Sequence, residues 1–163
     1  MNISLTKRLF FLFFVGFTSL FASVARSEND AERKTGSDRL LGVWEPSNGK
    51  ARVKIEKIGT KYYGKIVWLK EPNDPDTGLP KTDKNNPDAT LQKVSLKGYR
   101  MLKDFVYQKN NEWSEGTIYD PLNGSTYSCT IKMTDPNTLE IRGYIGVSAF
   151  GRTDVWKRLA IKK

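Results

Sequence analysis

From Leu40 onward, hydrophobic and polar positions alternate in short runs separated by turn-forming residues. A period of two marks strands with one buried face. Over 51–58, Ala51, Val53 and Ile55 share one face while Arg52, Lys54 and Glu56 share the other. Over 125–133, Tyr127, Cys129, Ile131 and Met133 fall together, and Leu139, Ile141 and Gly143 alternate with Glu140, Arg142 and Tyr144. The run 61–70 is rich in Tyr, Ile, Val and Trp, types that suit a pleated, half-buried surface. Further strands are predicted over 40–45, 101–108, 112–119 and 152–161, about eight in all.

Most connections are tight. Asn48-Gly49 between apolar-rich runs is a strong hairpin signal, because both residues tolerate positive φ. Gly59-Thr60, Lys109-Asn110-Asn111, Asp120–Gly124, Asp135-Pro136-Asn137 and Gly146–Gly151 supply the other turns. Successive hairpins predict an all-β domain, a single antiparallel up-and-down β-barrel whose closure removes exposed edges. The segment 71–98 breaks this rhythm: it is long and rich in Pro, Asp, Asn and Lys. Loops of this length are often functional or lid-like. Within it, Asn86 as N-cap and Pro87 at the first helical position predict a short helix from Pro87 to about Lys93, capping one end of the barrel.

The N-terminus has a different pattern. Lys7 and Arg8 precede an uncharged apolar run, Leu9–Phe21, and then small residues. Ser23-Val24-Ala25 offers small residues at the −3 and −1 positions of a cleavage site, and Ala25-Arg26-Ser27 offers a second. The apolar run is short for a membrane span, and no cysteine follows it to carry a lipid anchor. The expected organisation is a signal peptide over 1–27, a flexible leader over 28–39 and the barrel over 40–163. The mature protein is expected in the periplasm or secreted.

Charge and composition narrow the chemistry. The chain carries 27 basic and 18 acidic residues. Without Lys7, Arg8 and Arg26 the remainder is about +6. The basic residues are interleaved with acids, which suits a solvated surface, and the excess also suits an anionic membrane surface. No Lys/Arg block or reading helix points to nucleic acid. The absence of histidine excludes His-based triads, His-ligated haem and the common zinc sites. A single cysteine, Cys129, cannot form an intrachain disulfide and reads as a small buried hydrophobe. A monomer without cofactor is expected.

The carboxylates form no convincing site. Asp74, Asp76, Asp83 and Asp88 cluster in the long loop, yet their spacing does not match an EF-hand, and Asp-Pro and Thr-Gly are ordinary turn chemistry. No metal is assigned. Glu112 and Glu115 fall on opposite faces of a strand, and Asp120 before Pro121 suits an Asx turn. No nucleophile–base constellation emerges, so no catalytic residue is assigned and an enzyme is not expected. The aromatics Trp68, Trp113, Tyr119, Tyr127 and Trp156 are candidates to line a ligand cavity, against the alternative of a filled core. Arg52 and Arg142 are candidates to hold an anionic head group inside the barrel, against the alternative of outward surface arginines. Leu41-Gly42-Val43-Trp44 opens the first strand. It resembles the Gly-x-Trp of lipocalin-like barrels, in which a last-strand arginine packs over the aromatic. Trp44 with Arg158, or with Arg152, would make that closure.

Several motifs together resemble the bacterial family known as domain of unknown function 2147. They are Gly42-Val-Trp44, Ala51-Arg-Val-Lys-Ile55, Gly64-Lys-Ile-Val-Trp-Leu-Lys-Glu-Pro72, Asp83-Lys-Asn-Asn-Pro-Asp88, Ile118-Tyr-Asp-Pro121, Gly124-Ser-Thr-Tyr127 and Arg152-Thr-Asp-Val-Trp156. The resemblance runs from about Leu41 to Leu159, and its most specific block is Lys65–Asp88. It implies an exported protein with a lipocalin-like barrel and brings no activity or catalytic residues. The family pattern more often has Ser at the position of Ala51. Cysteine pairs expected in some relatives are absent, since the matching regions hold Tyr62-Tyr63 and Phe150. The functional expectation is non-enzymatic binding of a small apolar or amphipathic ligand in the barrel. The alternative is a filled barrel that contacts an envelope protein or the membrane surface.

Overall fold

Each of eight antiparallel strands pairs with its neighbour in chain order, and the last closes on the first, in the computed structural model, which describes residues 36–160. The strands are β1 (Gly42–Glu45), β2 (Ala51–Ile58), β3 (Lys61–Leu69), β4 (Arg100–Tyr107), β5 (Glu112–Asp120), β6 (Ser125–Asp135), β7 (Thr138–Tyr144) and β8 (Arg152–Arg158). This is the closed up-and-down barrel expected from the alternating pattern. The signal peptide expected over 1–27, and the leader as far as 35, lie outside the described residues. Residues 36–39 of that leader pack with the domain: 36–38 form a helical turn, and Asp38 pairs with Lys57 on β2.

The two ends of the barrel differ because the inward-facing side chains differ in size. At the end carrying the β2–β3, β4–β5 and β6–β7 turns, Trp44, Tyr62, Phe105 and Trp113 are fully buried, with Leu40 from the N-terminal turn among them. Aromatic pairs tie this core together, with Tyr62 edge-on to Trp113 and Tyr107 tilted against it. Toward the other end the inward positions include Ala51 and Gly143, and the filling stops. Eight strands enclose a space that side chains either fill or leave for one small ligand. This barrel does each in one half.

Turns and bulges set the register. Asn110 and Asn111 are both left-handed (φ 53° and 59°), the paired geometry that a two-residue hairpin favours. At Asn48-Gly49 only Gly49 is left-handed, and its N–H closes a turn onto Pro46 O. In β4 and β5, Asp104 and Glu115 both lie at φ 64° within irregular pairing. These bulges let Phe105 lie over Gly116, where an added Cβ would come within 2.4 Å of the ring. The same distortion corrects the placement of Glu112 and Glu115: simple alternation separates them, but both are exposed.

The long β3–β4 connection is folded without the helix predicted over 87–93. Successive turns replace it. Asn86 does accept the Asp88 N–H through its side chain, as an N-cap would. However, the Thr90 N–H bonds to the Asp88 carboxylate, and the Asn86 carbonyl is taken by the Gln92 side chain. Both halves of the first helical hydrogen bond are thus used elsewhere, and side-chain competition of this kind favours turns over helix.

Candidate functional site

A chamber of about 900 Å³ opens at the barrel end that carries the β1–β2, β3–β4, β5–β6 and β7–β8 loops. Its lower wall is apolar, made by Ile66, Met101, Ile118, Ile141 and Trp156. That volume falls in the range of small-molecule pockets. Two of its charged groups, Arg152 and Asp154, come from β8. Gly143 pairs with Arg152, Ile141 with Asp154 and Leu139 with Trp156, so Arg152, Asp154 and Trp156 share the inward face with the β7 core residues. Asp154 accepts a 2.8 Å hydrogen bond from Trp156 Nε1, which holds a carboxylate against the chamber wall. Tyr127, paired with Ile118 across β5 and β6, lines the same space, and its hydroxyl accepts from Asn123 Nδ2 at 2.9 Å.

The sequence-nominated residues scatter. Tyr127 lines the chamber, as does Trp156. Trp113 is fully buried in the closed half, with its Nε1 unpaired among the described residues. Trp68 stands outside the chamber. Val53 pairs with Ile66 but Arg52 with Trp68, so Val67 is an extra residue that reverses the alternation of β3. Arg52 therefore stacks on Trp68 at 4.3 Å and pairs with Glu45 at 3.1 Å, outside the chamber lining. Arg142 also leaves the chamber. It donates to Ser148 O, Ala149 O and Thr153 Oγ1, fastening the β7–β8 loop. For these two arginines the outward alternative holds.

Tyr119 reaches the chamber's edge but has another task. It alternates with Ile118, so its ring falls on the outer face, buried beneath the long loop. Its hydroxyl donates to Asp83 Oδ1 at 2.8 Å, and its ring lies 5.3 Å from that of Tyr99. Asp83 is fully buried and also accepts from Asn86 Nδ2 at 2.6 Å. Burial and the Asp83 carboxylate together hold the Tyr119 phenol protonated well beyond the usual range. The loop is pinned a second time where Asn85 Nδ2 donates to Pro121 O and Leu122 O. Gly124 permits that contact, since a Cβ there would meet Asn85 O at 2.0 Å.

The loop carboxylates serve the loop itself. Asp74 accepts N–H groups of Asp76 and Thr77 and is paired with Lys84, which holds its carboxyl below the ordinary range. Asp88 accepts from the Thr90 hydroxyl and N–H, with the same consequence. Among the described residues no three carboxylate or thiol groups converge as metal ligands would.

At the closed end, Trp44 Nε1 donates to Leu40 O at 2.9 Å, and the Arg158 guanidinium lies 4.1 Å from the Trp44 ring centre. Arg152, the other arginine considered for this role, lies at the opposite end, lining the chamber.

Sequence reasoning missed Asp154 and Arg152 as chamber residues. The signal was present: alternation in Arg152-Thr-Asp-Val-Trp156 puts two charges on the face of Trp156. It also missed the Asp83–Asn86–Tyr99–Tyr119 cluster, which joins a loop to a strand across a separation that no local pattern reports.

Comparison with known proteins agrees with this geometry. Residues 42–158 match the family model described as an uncharacterized protein conserved in bacteria, DUF2147. The structure is similar to that of protein HP1028 from the human pathogen Helicobacter pylori, described as belonging to the lipocalin family. The two share 26% identity with a TM-score of 0.64, covering 74% of this chain and 83% of that one. No curated protein matches the chain.

Proposed function

The chain belongs to the uncharacterised bacterial family DUF2147, and on that premise we propose that it binds one small amphipathic molecule in the open half of its barrel, without catalysing a reaction. The observation that carries this reading is the chamber of about 900 Å³ inside a barrel whose other half is packed solid. An apolar body would lie against Ile66, Met101, Ile118, Ile141 and Trp156. Its polar end would meet Arg152, Asp154 and Tyr127, an acceptor and donors suited to a head group with both characters. The lipocalin-like fold supports a binding role. The signal-like N-terminus supports a site of action outside the cytoplasm.

Native mass spectrometry of the mature protein from a periplasmic extract, followed by denaturation, tests this directly. A reproducible released amphiphile supports the reading. A fluorescent fatty acid gives a second test, with Ala51→Trp designed to fill the chamber. Binding by the wild type and a loss of about tenfold or more in the variant are expected, the scale of a bulky side chain excluding an apolar ligand. Equal binding by both folded proteins would remove the chamber from consideration.

A further inference from the structure

We propose that the open end of the barrel docks on an anionic lipid surface, with the β5–β6 and β7–β8 loop tips entering the headgroup layer. The first observation is where the apolar side chains are exposed. Among the described residues the three most exposed large hydrophobic side chains are Phe150 (85%), Leu122 (78%) and Ile145 (75%). All three line the mouth of the chamber. Val147, also exposed, lies on the same loop as Ile145 and Phe150. Scattered surface hydrophobics are ordinary, but a ring of them around a single opening marks an interaction site. The loop carrying Phe150 is braced: a 3-10 turn spans Ser148–Phe150, and Arg142 grips two of its carbonyls. The apolar tips are therefore presented and not folded inward.

The second observation is charge. Lys50, Lys70, Lys81 and Arg152 line the same opening, against the acids Glu71, Asp120 and Asp154. Lys81 pairs with Glu71 at 3.1 Å, while Lys50 and Lys70 have no ion-pair partner among the described residues. The lining thus carries one more cation than acid, and Lys50 and Lys70 stand on the β1–β2 and β3–β4 connections of the same opening. Apolar side chains that enter the acyl boundary, flanked by lysines that face phosphate groups, are the two components of interfacial binding to anionic lipid. A protein partner would be met by the same apolar tips, but the unpaired lysines favour the lipid surface. The docking stands on these loops alone. That a ligand passes between bilayer and chamber rests on the binding reading above.

The test is co-sedimentation of the mature protein with vesicles of phosphatidylcholine alone and of phosphatidylcholine mixed with phosphatidylglycerol. Binding is expected to the anionic vesicles, weakened by salt. The double variants Phe150→Ser/Ile145→Ser and Lys50→Glu/Lys70→Glu are each expected to reduce it about tenfold or more, by loss of apolar insertion and of charge attraction respectively. Thermal melts check that each is folded; if the apolar variant does not fold, the lysine variant decides. Absence of wild-type vesicle binding overturns the proposal, as does binding that the folded variants leave unchanged. Sedimentation equilibrium showing a dimer that Phe150→Ser/Ile145→Ser dissolves would assign the tips to a second copy and overturn it too. Fatty-acid uptake from vesicle-free solution separates the two readings. Vesicle binding without uptake defeats the ligand reading and leaves docking intact, and uptake without vesicle binding does the reverse.

Discussion

The Arg158 guanidinium stacks over the Trp44 ring at 4.1 Å and donates to the carbonyls of Arg39, Leu41 and Pro136. The two residues are register partners where β8 meets β1, the shortest seam of the barrel. One planar cation thus joins the N-terminal turn, the β6–β7 turn and the seam. Arg158→Lys cannot reproduce the fork of donors. It should cost about 2–3 kcal/mol, the scale of lost hydrogen bonds to a charged group. Trp44→Ala should cost about 3–5 kcal/mol as a buried aromatic truncated in a packed core. Urea unfolding measures both. A loss under about 1 kcal/mol for Trp44→Ala would remove it from the structural closure.

The loop depends on a buried carboxylate. Tyr119→Phe removes the hydroxyl that satisfies Asp83 Oδ1 and leaves a buried acceptor exposed to no donor there. A loss of about 1–3 kcal/mol is expected. Asp83→Asn should also lose stability, because an amide offers one acceptor oxygen where the carboxylate accepts from both Tyr119 and Asn86. Limited proteolysis within 70–99 should accelerate in both, since the loop loses its anchor to β5. Unchanged cleavage would mean that the Asn85 contacts alone hold the loop.

Gly124 has φ +72°, and the site its Cβ would occupy lies against the backbone oxygen of Asn85. Gly124→Ala should lower stability by more than the roughly 1 kcal/mol of left-handed strain, because backbone must move as well. Gly49→Ala, with φ +62° and open space around it, isolates the strain alone and should cost less. Paired thermal melts compare them.

Stability should change little between pH 5 and 8 and fall below about pH 4. No histidine titrates in the upper window. Asp38 is held below its ordinary range chiefly by the hydrogen bond from Lys57, with Tyr62 adding to it, and Lys81 does the same for Glu71. A carboxyl whose folded pKa is depressed stabilises the fold above its unfolded pKa, and that contribution is lost as pH falls through the folded value. These pairs are well exposed, so screening keeps each contribution small. Denaturation midpoints across pH 2–8 check the profile, and Asp38→Asn should flatten its acid limb.

Burial pushes the Cys129 thiol up to about 12. It should react slowly with a thiol reagent in the folded protein and rapidly once unfolded. Fast native labelling at neutral pH would show that β6 opens readily.

Much of the architecture was legible. The alternation of Val53 and Ile55, and of Cys129, Ile131 and Met133, names the inward faces of β2 and β6 because strand geometry is local. The site was legible only in part. Trp68 reads as inward until the bulge beside Arg52 and Val53 reverses it. Asn86-Pro87 reads as a helix start until Gln92 and Asp88 claim the partners that a helix needs.

By itself the sequence determined the class, the strand count and the run of tight turns, since a two-residue period and left-handed turn residues act over a few neighbours. Tertiary structure decided that the barrel is solid at one end and open at the other. That outcome depends on which inward residues from separate strands share a layer, Trp44 with Trp113 and Tyr62 below, Ala51 with Gly143 above. It also decided that Asp83 meets Tyr119 and that Phe150, Ile145 and Leu122 ring one mouth. Such meetings are set by barrel closure and bulge register, which bring distant segments together and leave no mark on the local pattern.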